Sequence, residues 1–170
     1  MFIVEKNLDR EMKILLRGVK QKLGTIPPHF EMFATIHPTR FKMFLEEINY
    51  LSNHENINPD FFTFVRYYVA SKNGFNYCIQ LNQAFLLSKG YTVEQLEALK
   101  KSKDNLPLDD KHRSLFIEVM NALDEPQNFT ATTLESLKAL GWSDADIYDA
   151  VDHGAFLFKF SRVLKIYSNK

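Results

Sequence analysis

An all-α fold is what this sequence predicts, and three observations predict it. Apolar residues recur at helical spacing along the chain, and helix start and stop signals punctuate it at short intervals. No segment alternates cleanly at period two. Taken in order, Leu8, Met12, Leu15, Leu16, Val19 and Leu23 share one face of a first helix, and Gly24 supplies the left-handed residue after its last turn. Phe41, Phe44, Leu45, Ile48 and Leu51 repeat the pattern after Pro38. Asn58-Pro59-Asp60 combines a capping side chain, a proline at the first helical position and an acid facing the helix dipole. The helix it opens, through Phe61, Phe62, Phe64, Val65, Tyr67, Tyr68 and Val69, is apolar nearly all round. It is expected to be the central, most buried element.

Gly74 breaks that helix, and Phe75 to Ser88 forms the next, ending at Gly90. Thr92-Val93-Glu94-Gln95 reads as a capping box. Leu115, Phe116, Val119, Met120 and Leu123 mark a helix stopped before Pro126, and Leu134, Leu137 and Leu140 mark another ended by Gly141. Ser143-Asp144-Ala145-Asp146 caps a long final helix, with Ile147, Val151, Ala155, Phe158 and Val163 expected toward the core. Leu86-Leu87-Ser88-Lys89-Gly90-Tyr91-Thr92 and Leu137-Lys138-Ala139-Leu140-Gly141-Trp142-Ser143 share one grammar, either a common helix-turn-helix corner or an old duplication of helical pairs. Charged Lys100 to Asp110, with Pro107, is the expected mobile stretch. Linkers are short throughout, so residues 1–170 read as a single-domain helical bundle.

The chain has 170 residues, and 45% of them are hydrophobic, enough for a packed core. Twenty-one Lys and Arg balance twenty-one Asp and Glu, which argues against nucleic acid or an anionic membrane as partner. No stretch approaches the roughly 18 apolar residues of a membrane span. The N-terminal apolar run Phe2-Ile3-Val4 is too short for a signal peptide, so a cytoplasmic protein is expected. One cysteine excludes an intrachain disulfide and a Cys-rich zinc site. His29, His37, His54, His112 and His153 include no pair at the i, i+4 spacing of a helical metal site. Neither a metal nor a cofactor is expected.

The segment Val69 to Asn82 is the informative one, because it places the lone Cys78 in the first turn of a helix. Peptide N–H groups at that position stabilise a thiolate. Phe75 and Tyr77 oppose them, being bulky and neutral, and Lys72, the nearest cation in sequence, precedes the turn. A cysteine amid aromatics reads first as an inert core residue.

The chain resembles the carboxymuconolactone decarboxylase family, whose redox branch is the alkylhydroperoxidase D-like proteins. Those members carry a Glu, a Cys-x-x-Cys pair twelve residues later, and a His four residues after the second Cys. Matching Cys78 to the second cysteine puts Phe75 at the first, Asn82 at the His and Thr63 at the Glu. Thr25-Ile26-Pro27-Pro28 with His37-Pro38-Thr39 resembles the family's N-terminal pattern, and Leu140 to Ile147 through Phe158 to Arg162 resembles its last helical pair. The resemblance covers roughly residues 20 to 167. It implies a bundle of the alkylhydroperoxidase D-like type with seven to nine helices, and subunits that assemble into homo-oligomers. Aromatics on more than one face of the last helix point to self-association independently.

The departures from that pattern shape the functional expectation. A two-cysteine cycle needs both sulfurs in one chain, and this chain has one. The expected protein is therefore a peroxidase-related descendant that binds a partner or a small apolar ligand without cycling thiols. Thr63, Phe75, Tyr77 and Asn82 line its pocket by family position, with a largely apolar wall. The alternative is a one-cysteine thiol peroxidase or reductase in antioxidant defence, with Cys78 oxidised and then reduced by an outside thiol. A further alternative is a decarboxylase of a small lactone acid. On the one-cysteine reading His153, on the final helix that in this family packs beside the cysteine-bearing helix, would replace the lost proton relay. Asp152 points about 100° away around that helix and would not orient its ring.

Overall fold

Side-chain caps start most of the helices. The computed structural model describes residues 2–168, so Met1, Asn169 and Lys170 of the 1–170 reading lie outside the described residues. Among those described there are nine α-helices and two short 3-10 turns. They are α1 (Arg10–Leu23), α2 (Pro28–Ile36), α3 (Pro38–Ser52), α4 (Pro59–Lys72), α5 (Asn76–Ser88), α6 (Val93–Lys101), α7 (Asp110–Asp124), α8 (Ala131–Ala139) and α9 (Asp144–Ile166). The only β-type pairing described is one isolated bridge between Phe2 and Ser168. The fold is all-α, and no helix of the described residues is long and apolar enough to cross a membrane.

Backbone contacts group the chain into two units, residues 1–52 with 162–170, and residues 53–161. In the first, α1 starts at Asp9, whose carboxylate accepts the Met12 N–H. Met12, Leu16, Phe30, Ala34 and Phe41 form its core, with Leu8, Leu15, Val19, Phe33 and Phe44 packed around them. Phe30 meets Phe41 and Phe44 edge-on at 5.7 and 5.5 Å. Helix α2 has no counterpart in the sequence reading, which took Pro27-Pro28 as a motif and assigned no helix after it. Pro28 is in fact the first helical residue, where its missing N–H costs nothing, and nine residues are too few to display a period.

In the second unit the Asn58 side chain accepts the Asp60 N–H and opens α4, as its sequence predicts. From Phe61 to Ala70 every residue but Arg66 is buried. Gly74, at φ 66°, then turns the chain through a conformation that side-chain-bearing residues disfavour, and α5 folds back on α4. The Thr92–Gln95 capping box opens α6. The repeated grammar has a single structural cause: Tyr91 N–H reaches back to Leu86 C=O and Trp142 N–H to Leu137 C=O, the same glycine-closed helix end twice. Lys100 to Asp110, expected to be mobile, is a built turn instead. Leu106 is buried, Ser102 caps a 3-10 turn, and Arg113 donates to the Leu106 and Leu108 carbonyls.

The buried stripe of α9 also corrects the sequence reading. It runs through Ile147, Ala150, His153, Gly154, Leu157 and Ser161, whereas Ala155 is exposed and Val151 and Phe158 are only half-buried. Hydrophobicity mis-phased the helix because Ala150, His153, Gly154 and Ser161 on its inward face are small or polar. Gly154 is one of them, and a Cβ there would press on the Leu123 side chain of α7. At the start of α9, Asp146 accepts from the Ser143 N–H at 2.8 Å and from the Asn56 amide at 3.1 Å. Burial works to raise that carboxyl's pKa, but these hydrogen bonds prevail and hold it below the usual value.

Candidate functional site

Helices α4, α5 and α9 each send one polar side chain to Arg66. The guanidinium donates Nε–H to Asn82 Oδ1 at 2.9 Å, Nη2–H to Thr63 Oγ1 at 2.8 Å and Nη1–H to His153 Nε2 at 3.2 Å. Thr63 lies one turn before Arg66 on α4, so helical spacing alone brings them together. Asn82 comes from α5 and is held by its own donation to the Cys78 carbonyl at 2.8 Å. Thr63, Asn82 and His153 are all buried. Three residues singled out in the sequence thus converge, in a polar cluster where an apolar wall was expected.

Arg66 is what the sequence reading missed. A signal was available: it is the only charged residue between Asp60 and Lys72, in a helix otherwise built of aromatic, aliphatic and small residues. A charge in such a helix must either be paired or be used. Burial lowers the Arg66 pKa to about 10, which still leaves it charged near neutral pH. Partners from α5 and α9 could not be read from one helix alone.

His153 is neutral. Burial, and then the adjacent Arg66 charge, push its pKa well below the ordinary 6.5, with the Phe62 carbonyl acting weakly in the other direction. Because Nε2 accepts from Arg66, the ring proton sits on Nδ1. That Nδ1 is buried and has no hydrogen bond of ordinary geometry. The ring meets Phe62 edge-on at 5.3 Å and stacks on Phe156 at 6.4 Å.

A pH dependence follows from this environment. Above pH 6.5 both folded and unfolded chains hold His153 neutral, so the group is silent. Below 6.5 the unfolded chain takes up a proton that the folded protein refuses, and stability falls with a slope of up to about 1.4 kcal/mol per pH unit. Urea midpoints measured from neutral pH downward should show this loss. His153→Gln, which keeps an acceptor for Arg66 but cannot titrate, should flatten it; an unchanged slope in that variant would place the titration elsewhere.

Cys78 is half-buried and carries a free thiol in the first turn of α5. No side chain among the described residues hydrogen-bonds its sulfur, and His153 is engaged with Arg66 instead. Burial pushes the thiol up to about 11, and the Arg66 charge, which works to lower it, does not prevail. Phe75 and Tyr77 flank it, both partly buried. Lys72 sits over the Tyr68 ring at 5.7 Å.

The remaining histidines have local structural roles. His37 Nδ1 accepts the Arg40 N–H, and His54 Nδ1 accepts from the Asn56 and Ile57 N–H groups. His112 bridges Asp109 to the Asn58 N–H. His29 packs edge-on against Phe30 at 4.7 Å. Among the described residues no group of His, Cys, Asp and Glu is arranged to hold a metal ion.

No protein-family model matches this chain, and no curated protein matches it in sequence. Solved structures match its fold. An uncharacterized peroxidase-related protein from Silicibacter sp. TM1040 is similar over 98% of this chain and 89% of its own, with a TM-score of 0.83 and 19% identity. A second uncharacterized peroxidase-related protein, described as an alkylhydroperoxidase AhpD core and from Ralstonia eutropha JMP134, is similar over 96% and 87%, with a TM-score of 0.79 and 16% identity. At these identities the shared property is the fold.

Proposed function

We propose that this chain uses the alkylhydroperoxidase D-like fold as a binding protein, with the two-cysteine redox site lost and no thiol cycling. The observation that carries the reading is the state of Cys78: a lone sulfur, without a hydrogen-bonding side chain, in surroundings that push its thiol up to about 11. A peroxidatic cysteine must be a thiolate to attack a hydroperoxide. By the resemblance, Thr63 and Asn82 correspond to the Glu and His of the redox branch, and both hydrogen-bond Arg66. The test is consumption of tert-butyl hydroperoxide with dithiothreitol as reductant. Turnover should not rise above the protein-free rate, and Cys78→Ser should leave it there. Turnover that saturates and disappears in Cys78→Ser would establish the one-cysteine enzyme instead, the reading that the nearby Arg66 charge favours.

Self-association is part of the same proposal. Met43 and Tyr50 lie seven residues apart on α3, on one face, and are 62% and 54% exposed. Sedimentation at micromolar concentration should show a species heavier than the 19.9 kDa chain; a stable monomer would overturn it.

A further inference from the structure

Arg66 is a cation whose hydrogen-bond partners are all neutral. Its three acceptors are an amide, a hydroxyl and an imidazole, and no Asp or Glu of the described residues pairs with it. The one ionisable group of opposite sign that it feels is Cys78, and that thiol stays protonated. A guanidinium has five N–H donors. Three are used, which leaves two without a protein acceptor. Removing a charge from water without a counter-charge is costly, so a charge kept here favours a partner that supplies the missing one.

The Arg66 residue is partly open to solvent, although its guanidinium is desolvated. Arg66 is the one residue from 61 to 70 that is not buried, and Cys78 and Phe156 nearby are also partly open. The chemistry narrows what could arrive. One unbalanced positive charge matches a monoanion, whereas a dianion would be left half-compensated among neutral groups. Two unspent N–H donors on a flat guanidinium match the two oxygens of a carboxylate. Phe156, stacked on His153, adds an apolar ring beside the polar node.

We propose that Arg66 anchors a small monocarboxylate with a compact apolar body, held at the junction of α4, α5 and α9. This rests on the reading of the site as one that binds rather than cycles, and names the class of ligand. Benzoate is the probe and benzamide its neutral isostere, titrated calorimetrically in low-salt, chloride-free buffer against the full chain. Benzoate should bind saturably, and benzamide and inorganic phosphate roughly tenfold or more weakly. Arg66→Gln should lose benzoate binding by a similar factor, and Arg66→Lys should recover part of it.

If Arg66→Gln does not fold, the wild-type protein still decides, because benzoate but not benzamide should shift the Arg66 Nε–H resonance. Equal binding of benzoate and benzamide, no benzoate binding, or full binding by a folded Arg66→Gln would each overturn the anion site. The two readings fail separately. Thiol-dependent turnover in a protein that binds benzoate through Arg66 removes the non-cycling reading and keeps the anion site. Neither turnover nor benzoate binding does the reverse.

Discussion

Cys78 in the folded protein should react with iodoacetamide near neutral pH about a hundredfold more slowly than in the urea-unfolded chain. The thiolate is the reacting species, and each unit of pKa removes about a factor of ten from its population. Burial raises the Cys78 thiol from an ordinary 9.0 to about 11, against the opposing pull of Arg66. The α5 N-terminus also favours the thiolate, but desolvation is the larger effect at this position. Stability carries the same signature at high pH. Between about 9 and 11 the unfolded chain loses the thiol proton while the folded protein retains it, so stability falls as pH rises through that window. Alkylation rates followed against pH, folded and in denaturant, measure the shift directly. A folded protein that reacts faster than the unfolded chain would invert the electrostatics and reopen peroxide chemistry at Cys78.

Phe61→Ala should cost about 3–5 kcal/mol of stability, among the larger losses expected from a single truncation in this chain. Phe61 is fully buried and packs edge-on against Phe62 at 5.6 Å and Phe116 at 6.0 Å, with His112 at 6.2 Å. Truncation removes contacts to α7 and leaves a ring-sized cavity whose walls belong to several helices and cannot all collapse. Phe61→Leu, which refills most of that space, should cost less than half as much. Tyr148→Ala, on an exposed side chain of α9, should stay within about 0.5 kcal/mol. Urea unfolding monitored by circular dichroism reads all three. A loss below about 1 kcal/mol for Phe61→Ala would mean that α4 is not the central helix.

Where the sequence reading succeeded, the signal was local. Asn58-Pro59-Asp60, the Thr92–Gln95 capping box and the paired Gly-aromatic corners each satisfy helix-end groups within a few residues, so the residue types alone declare them. Where it failed, distant partners decided. The inward face of α9 is set by Leu123 pressing on Gly154 and by Arg66 meeting His153, and neither constraint makes those positions hydrophobic. Helix α2 was hidden because its apolar residues follow two prolines that look like an interruption, although Pro28 is compatible with a first turn. Lys100 to Asp110 read as mobile because charge dominates its composition, while the carbonyls that Arg113 caps and the burial of Leu106 are invisible in composition.

The sequence by itself determined the all-α class, the ends of most helices, the central place of α4 and the absence of a second sulfur for a disulfide cycle. These depend on interactions within one or two helical turns, or on the residue count alone. Only the tertiary structure decided that Thr63, Asn82 and His153 meet on Arg66, and that the cation acting on Cys78 is Arg66 instead of Lys72. Sixteen residues separate Arg66 from Asn82 and 87 separate it from His153. No periodicity spans such distances. The contacts form when α5 folds back at Gly74 and α9 brings His153 to them, and it is their low-dielectric setting that keeps His153 neutral, Cys78 protonated and the Arg66 charge unmatched.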